Sequence, residues 1–287
     1  MYAAKAAGRD RVALFTEDLR RDLDDRLRTE YDLRHALERG ELAVWFQPEI
    51  DLLDGSVRAC EALLRWHHPD GRLRMAGEFI DIAEDTGLIL QIGEWVVREA
   101  CAASARWSRQ DATGSLVVRV NLSALQLREP DLLRHVDEAL RDTGADPRLL
   151  CFEITETHVL DDNTTAQANL RGIWHRGIEI AIDDFGTGWA SLSYVQRYPV
   201  HVLKIDQSFV ANMAVDEGDH RIVAGIIALA DHLGVSVTAE GVETAAQEES
   251  LREMGCAGAQ GFRYSAAIPA DDLPAFVLAR EQSDRRP

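Results

Sequence analysis

Short apolar runs alternate with amphipathic stretches along most of the chain, and their order predicts a barrel. Eight of the runs have the length and apolar composition of strands, and most are separated by stretches with the period of a helix. Strands that alternate with helices over about 230 residues predict a (β/α)₈, or TIM, barrel of the α/β class. The predicted strands are Ala43–Ile50, Val57–Trp66, Leu116–Ser123, Leu149–Thr155, Ile178–Asp183, Val202–Asp206, Ser236–Glu240 and Gly258–Gly261.

The connection between the first two predicted strands is too short for a crossover helix. Only Asp51–Ser56 separates them, so we expect this pair to be antiparallel. Upstream of the barrel, a highly charged stretch from Thr16 to Gly40 predicts a linker helix, because Thr is a common N-cap and Gly a common C-cap. The expected fold is therefore a modified (β/α)₈ barrel with an antiparallel first strand, preceded by an N-terminal linker helix.

Apolar side chains form a stripe on this predicted linker helix. Leu19, Leu23, Leu27 and Tyr31 recur every four residues, and so they fall close to one helix face. The stripe could pack onto the barrel, or it could pair with its copy in a second subunit to form a homodimer. Three or four turns are too few to identify a coiled coil, and the sequence leaves both interpretations open.

The composition limits the classes of protein and of ligand. With 46% apolar and 28% charged residues, the chain resembles globular proteins rather than fibrous or disordered ones. A net charge of −18 argues against a nucleic-acid polymer as partner, but it allows a small phosphate ligand held through a metal ion. The longest apolar stretch, Ile222–Ala230, is much shorter than the roughly 18 residues that span a bilayer. Without a signal peptide, and with four isolated cysteines, the chain is expected in the cytoplasm.

Polar and mostly acidic side chains stand at or near the ends of the predicted strands. Any one of them could simply be the polar residue with which a strand enters a loop. In a barrel, however, the carboxyl ends of the strands converge on one mouth, where the active sites of such folds lie. The residues in question are Glu61, Asn121, Glu153, Asp183, Asp184, Lys204, Asp206, Glu240 and Gln260.

Carboxylates gathered at one mouth would repel each other unless cations held them together. The donors are oxygen atoms without Cys or His, a set that favours Mg²⁺ or Mn²⁺ over zinc. Adjacent Asp183 and Asp184 could serve two ions, and a pair of ions would favour cleavage of a phosphate ester. Lys204 could orient or deprotonate water, neutralise phosphate charge, or form a salt bridge compatible with either role.

Eight motifs together resemble those of EAL-type cyclic di-GMP phosphodiesterases, in family order, over about residues 30 to 275. Their central element is Glu61–Trp66, which reads EALLRW. In addition, Met1–Phe15 is similar to the end of a GGDEF domain, which implies the C-terminal part of a tandem GGDEF–EAL protein. The implied divisions are a GGDEF remnant at 1–15, a linker helix at 16–40, the barrel at 41–280 and a tail at 281–287. The other motifs are Phe46–Pro48, Val120–Ser123, Glu153–Glu156, Asp183–Gly188, Lys204–Asp206, Ala239–Glu243 and Gln260–Phe262.

The resemblance implies hydrolysis of cyclic di-GMP to linear pGpG with two Mg²⁺ or Mn²⁺ ions. It implies that Glu240 holds the second metal or its water, that Gln260 positions water, and that Lys204 activates the nucleophile. Gln47 and Arg65 match substrate contacts, and Asp206 is a further candidate for contact with metal or water. The implied metal ligands are Glu61, Asn121, Glu153, Asp183 and Asp184. The residues implied to couple the site to a dimer interface are Glu156, Phe185, Gly186, Thr187 and Gly188.

Two departures from the family pattern bear on this interpretation. The family usually has Tyr-Ser-Ser where this chain has Trp189–Ser191, so Ala190 removes a hydroxyl from the loop after Asp184. It usually has Lys-Pro where this chain has Ala266–Ala267, which affects substrate affinity rather than metal chemistry. Because every implied metal ligand is present, the sequence favours an active enzyme. The alternatives are a module that binds cyclic di-GMP without turnover, and another two-metal phosphohydrolase on the same barrel.

Overall fold

The structure is a computed structural model that describes residues 17–110, 112–156, 163–187 and 200–284. Met1–Phe15, Thr16, Gly188 and Trp189–Ser191 lie outside the described residues, and so does the expected GGDEF remnant. The helices are α1 (Glu17–Ala36), α2 (Ile80–Thr86), α3 (Ile89–Trp107), α4 (Ala124–Arg128), α5 (Leu132–Thr143), α6 (Thr164–His175), α7 (Gln207–Asn212), α8 (Glu217–Leu233), α9 (Ala245–Glu253) and α10 (Leu273–Asp284). The strands are β1 (Leu42–Asp51), β2 (Val57–His67), β3 (Leu73–Met75), β4 (Val117–Asn121), β5 (Leu150–Thr155), β6 (Glu179–Phe185), β7 (Val202–Ile205), β8 (Ser236–Ala239), β9 (Gly258–Gln260) and β10 (Ile268–Pro269).

Eight of these strands form a closed barrel. From β2 through β4 to β9, each strand is parallel to its neighbour. β1 runs antiparallel to β9, with Glu49 opposite Gln260, and it also pairs with β2, which closes the circle. The short strands β3 and β10 pair with β2 and β1 outside this circle. The expected barrel with an antiparallel first strand is thus confirmed.

The parallel strands are buried because helices cover them on the outside and side chains fill the barrel inside. All four residues of β7 are buried, as are the first five residues of β5. Cys151, Ala181 and Val202, from three neighbouring strands, form one buried cluster. The connecting helices begin at polar caps, as in α6, where the Asn163 side chain accepts hydrogen bonds from two backbone N–H groups. None of the described helices has both the length and the apolarity needed to cross a membrane.

The chain divides into two compact units. The smaller one consists of the residues up to Ala43 together with Arg65–Ile89, and the larger one consists of Val44–Leu64 together with the residues from Leu90 onward. The smaller unit contains α1, β3 and α2, and Trp66 is its buried centre. The Trp66 ring packs edge-on against Phe79, and its Nε1 donates a 3.1 Å hydrogen bond to Glu41. The larger unit contains β4–β10, most of β1 and β2, α3 from Leu90 onward and the helices from α4 onward; we call it the barrel unit.

Candidate active site

The ammonium group of Lys204, on β7, is the centre of a cluster of carboxylates within the barrel unit. The Lys204 side chain is fully buried, and its Nζ contacts carboxylates from four other strands or strand ends. The distances from Nζ are 2.6 Å to Glu240, 2.9 Å to Glu153, 3.3 Å to Glu61 and 3.5 Å to Asp183. The structure therefore brings together five of the strand-end residues that the sequence singled out.

Two amide side chains hold the carboxylate of Glu61 in place. Asn121 Nδ2 donates a 2.7 Å hydrogen bond to Glu61 Oε1, and Gln260 Nε2 donates one of 2.7 Å to Glu61 Oε2. The same Gln260 nitrogen also lies 3.1 Å from Gln47 Oε1, which ties β9 to β1. Burial would raise the pKa of Glu61, but Lys204 and the two amide donors lower it. Glu61 is thus an ionised, oriented carboxylate.

Adjacent aspartates reach the same cluster because the backbone of β6 is irregular. In a regular strand, Asp183 and Asp184 would point to opposite faces. The register of β6 against β7 shifts between Ile182 and Phe185, and Asp184 has a φ of 54°, in the left-handed region that Asp tolerates better than most residues. As a result, one oxygen each from Asp183, Asp184 and Glu240 lie within 4.8 Å of one another.

Burial and neighbouring carboxylates raise the pKa values of two carboxyl groups at this mouth, those of Asp184 and Glu240. Burial raises the pKa of Asp184 to about 6, and the nearby Asp183 and Asp206 add to the shift. Burial also raises the pKa of Glu240 to about 8, with the Lys204 ammonium acting in the opposite direction. For Lys204, burial alone would lower the pKa, but the surrounding carboxylates raise it well above its ordinary value. Negative charge is in surplus here.

The donor set fits divalent cations. Burial raises the pKa of Glu153 well above its ordinary value. Glu153 Oε1 accepts no hydrogen bond from the described residues. Asp183 Oδ1 likewise accepts no hydrogen bond within the part of the chain that the structure describes. Buried oxygens of this kind, close to other carboxylates, are ligands of the type that Mg²⁺ and Mn²⁺ prefer. The group Asp183, Asp184 and Glu240 could hold one such ion.

A cleft of about 220 Å³ opens onto this cluster. Phe262, which follows β9, is 73% exposed and lines the cleft, so an aromatic ring stands next to the acidic groups. Residues lining the cleft include Gln47, Glu61, Asp183, Glu240, Gln260 and Phe262. Gln47 Nε2 donates a 3.1 Å hydrogen bond to the carbonyl of Ser265, directly before the Ala266–Ala267 departure. No lysine follows Ser265 to add positive charge beside Gln47.

The start of the loop after β6 is tied to Glu156. Glu156 Oε2 accepts a 2.9 Å hydrogen bond from the Gly186 N–H, and Glu156 is buried. Gly186 has a φ of 102°, and a Cβ atom there would lie 3.0 Å from the Phe209 ring. Thr187 Oγ1 donates to the Asp184 carbonyl at 2.9 Å. Phe185 is buried, whereas Gly188 and Ala190, where the hydroxyl is missing, lie outside the described residues.

Two further predicted site residues, Arg65 and Asp206, make contacts outside the cluster around Lys204. Arg65 is buried in the smaller unit, on β2, opposite Met75 of β3. Asp206 caps α7 by accepting a 3.0 Å hydrogen bond from the Ser208 N–H, and it raises the pKa of Asp184. The predicted contact of Asp206 with metal or water stays a prediction beside this capping role.

The sequence reasoning missed a buried ionic pair inside the barrel, Glu49 on β1 and Arg119 on β4. The two side chains are 0% and 2% exposed, and Arg119 Nε donates to Glu49 Oε2 at 2.7 Å. A charged residue in the middle of an apolar strand was the available signal, since Arg119 stands between Val118 and Val120.

Comparisons with known proteins indicate the family of this chain. The family model described as "EAL domain" matches residues 30–267. "Bifunctional diguanylate cyclase/cyclic di-GMP phosphodiesterase MucR" from Pseudomonas aeruginosa is 40% identical over 277 residues, which are 96% of this chain and 40% of that protein. "Signaling protein YkoW" from Bacillus subtilis is 37% identical over 278 residues, 97% of this chain and 34% of that protein. The chain thus spans less than half the length of these curated relatives.

Among solved structures, the one described as "PaMucR Phosphodiesterase, c-di-GMP complex" superimposes with a TM-score of 0.82 at 41% identity. The match covers 86% of this chain and 99% of that structure. The match shows that the two chains share the fold.

Proposed function

The chain belongs to the EAL domain family, and we propose that it hydrolyses one phosphodiester bond of cyclic di-GMP to give linear pGpG. The observation that carries the proposal is the cluster of carboxylates around Lys204, open to a cleft beside Phe262. The similarity to a phosphodiesterase structure in complex with cyclic di-GMP, at 41% identity, supports this substrate.

We propose that two Mg²⁺ or Mn²⁺ ions complete the site. Five carboxylates and one ammonium give the cluster a formal charge of −4 when all are ionised, which two divalent cations would balance. When bound, two such ions activate a water molecule and stabilise the leaving oxygen of a phosphate ester. The residues that would hold them are Glu61, Asn121, Glu153, Asp183, Asp184 and Glu240.

The side chains of this protein position the reactants around those ions. Lys204 Nζ is held by four carboxylates and is placed to orient the attacking water or to offset charge on the phosphate. Gln260 fixes Glu61 and joins it to Gln47, whose side chain lines the cleft for substrate. Burial of these groups strengthens each of their electrostatic interactions.

Incubation of the purified chain with cyclic di-GMP and Mg²⁺, followed by chromatography of the products, tests the proposal. We expect linear pGpG, and we expect Asp183→Asn to abolish its formation while the barrel remains folded. Binding of cyclic di-GMP without any product would instead identify a binding module. Cleavage of a simple phosphodiester such as bis(p-nitrophenyl) phosphate, with cyclic di-GMP left intact, would indicate a different two-metal phosphohydrolase.

We propose further that the chain forms a homodimer through the apolar stripe of α1. Leu23, Leu27 and Tyr31 are 43%, 54% and 63% exposed, although they are large apolar or aromatic side chains. Light scattering should give twice the mass of one chain, and Leu23→Glu with Leu27→Glu should give the monomer, because the added charges repel across the interface. Leu53→Glu, at an apolar side chain that is 95% exposed, is the matched control and should stay dimeric. A wild-type monomer under assay conditions would contradict the proposal.

The contact between Glu156 and Gly186 leads to a prediction about the loop after β6. We expect Glu156→Ala to lower both turnover and Mn²⁺ affinity about tenfold, because one hydrogen bond to a charged group is worth about 1.5–3 kcal/mol. Glu156→Gln keeps an oxygen that can accept from the Gly186 N–H, and should lose less. Steady-state kinetics and titration calorimetry measure the two effects. Wild-type values for Glu156→Ala would show that this contact does not order the site.

A further inference from the structure

A second ionic group lies inside the barrel and takes no part in the proposed reaction. Glu49, from β1, is 0% exposed and accepts hydrogen bonds from Arg119 Nε at 2.7 Å and Arg119 Nη2 at 3.2 Å. Its Oε1 also lies 2.9 Å from Arg58 Nε in an ion pair and accepts a 2.9 Å hydrogen bond from Thr238 Oγ1. Bidentate pairing of this kind fixes the plane of a guanidinium group.

This ionic group lies next to the cluster around Lys204 inside the barrel. Arg119 precedes Asn121 by two residues on β4, and in the strand register Asn121 is opposite Glu153 of β5. Since side chains alternate along a strand, Arg119 and Asn121 face the same barrel interior in successive layers. Arg119 Nε lies 4.0 Å from Glu153 Oε1, beyond hydrogen-bonding distance.

The two oxygens of Glu153 have different surroundings. Oε2 accepts a 2.9 Å hydrogen bond from Lys204 Nζ. Oε1 is buried and accepts no hydrogen bond from the residues that the structure describes, although a guanidinium group lies 4.0 Å away. A buried carboxylate oxygen next to a cation would ordinarily form a hydrogen bond with it, because leaving it without one is costly.

We propose that Glu49 is a positioning residue that holds Arg119 back from Glu153, and so keeps Glu153 Oε1 available as a metal ligand. The inference rests on the proposed function, since it assumes that Glu153 binds a divalent cation. Arg58 and Thr238 anchor the Glu49 carboxylate, which then holds the guanidinium by two hydrogen bonds. Arg119 still lends positive charge to the crowded acidic layer without occupying the oxygen that the cation needs.

A purely structural role of the Glu49–Arg119 pair would give a different pattern of effects on metal affinity. Removing one partner of a buried ion pair destabilises a protein whichever partner is removed, and replacing both is often close to neutral. Stability therefore cannot separate the two roles. Metal affinity can, because our proposal gives Glu49 and Arg119 opposite effects on it.

Titration calorimetry with Mn²⁺ on the full chain tests the proposal. Glu49→Gln frees Arg119 to pair with Glu153, and we expect it to weaken Mn²⁺ binding about tenfold, a usual effect of an outer-shell partner. Arg119→Met removes the competing cation and should bind Mn²⁺ at least as tightly as the wild type. The double variant should recover the affinity that Glu49→Gln loses, to within about twofold of the wild type.

A second perturbation changes no charge, in case Glu49→Gln fails to fold. A Cβ atom at Gly258 would lie 2.7 Å from Glu49 Oε1 and 3.0 Å from Thr238 Oγ1, so Gly258→Ala displaces the Glu49 carboxylate. We expect weaker Mn²⁺ binding, by a smaller factor than for Glu49→Gln. Gly225→Ala, on α8, is the matched control, since its Cβ atom would have no neighbour within 4 Å, and it should bind Mn²⁺ as the wild type does.

The outcomes separate the failure of this inference from that of the proposed function. If the wild type binds no Mn²⁺, both fall. If the wild type binds Mn²⁺ and Glu49→Gln binds it equally well, only the positioning role is overturned. A double variant as weak as Glu49→Gln alone would likewise overturn it, because then no competition from Arg119 is relieved. Weak binding by Glu49→Gln that is recovered in the double variant supports it.

Discussion

We expect Lys204→Ala to lower the rate of cyclic di-GMP hydrolysis at least about a hundredfold while the substrate still binds. Lys204 Nζ is the one cation that contacts Glu61, Glu153, Asp183 and Glu240 at distances of 2.6–3.5 Å among the described residues. In the proposed reaction its removal would take away the donor that orients the attacking water, a loss within the usual range for positioned acid–base groups. Single-turnover kinetics together with binding of cyclic di-GMP in Ca²⁺ would measure the two effects separately.

The volume left by the lysine calls for a control. Lys204→Met keeps most of the side-chain bulk without the charge, so it should match Lys204→Ala in rate and exceed it in thermal stability. If binding falls by the same factor as the rate in both variants, Lys204 is a phosphate anchor rather than a group that acts on water. That outcome would leave the metal ligands unchanged and would reassign only this residue.

The second large effect is expected from the removal of metal ions. Excess EDTA should abolish hydrolysis, and added Mg²⁺ or Mn²⁺ should restore it. The physical reason is that burial, together with the neighbouring carboxylates, already raises the pKa of Asp184 to about 6 and that of Glu240 to about 8. Without cations, these carboxyl groups hold protons or repel the phosphate. Hydrolysis that continues at full rate in excess EDTA would contradict the two-metal proposal.

Calcium provides the discriminating control for this prediction. Ca²⁺ takes more ligands at longer distances than Mg²⁺, and it tolerates irregular geometry. We expect it to support binding of cyclic di-GMP but to give little product, because a looser shell misplaces the attacking water, and about 1 Å of misplacement can cost about a hundredfold in rate. Turnover in Ca²⁺ equal to that in Mg²⁺ would show that positioning by the metal is not limiting.

Much of the barrel could be predicted because its signals are local. β5 and β7 are short, mostly apolar strands, and each carries one charged residue near its end, Glu153 in β5 and Lys204 in β7. Convergence of Glu153, Lys204 and Glu240 then followed from the rule that parallel strands open onto one mouth. Each end of a predicted strand lies within two residues of the observed end. Glu240 directly follows β8 instead of being its last residue.

The structural features that the sequence did not predict are short, or they depend on residues far apart in the chain. β3 and β10 have three and two residues, too few for any periodicity. The pair Glu49–Arg119 joins residues 70 positions apart, so no local pattern contains both. The convergence of Asp183 and Asp184 depends on a register shift in β6 that adjacent identical residues do not indicate.

The left-handed backbone at Asp184 has an evolutionary consequence. At a φ of 54°, Asp, Asn and Gly are the residues that fit with little strain. Asn and Gly are each one nucleotide change away from Asp, and neither carries a carboxylate. Drift at this codon can therefore remove a charge while the turn keeps its shape, so descendants that lose hydrolysis but keep the barrel are expected to lose it at position 184 first.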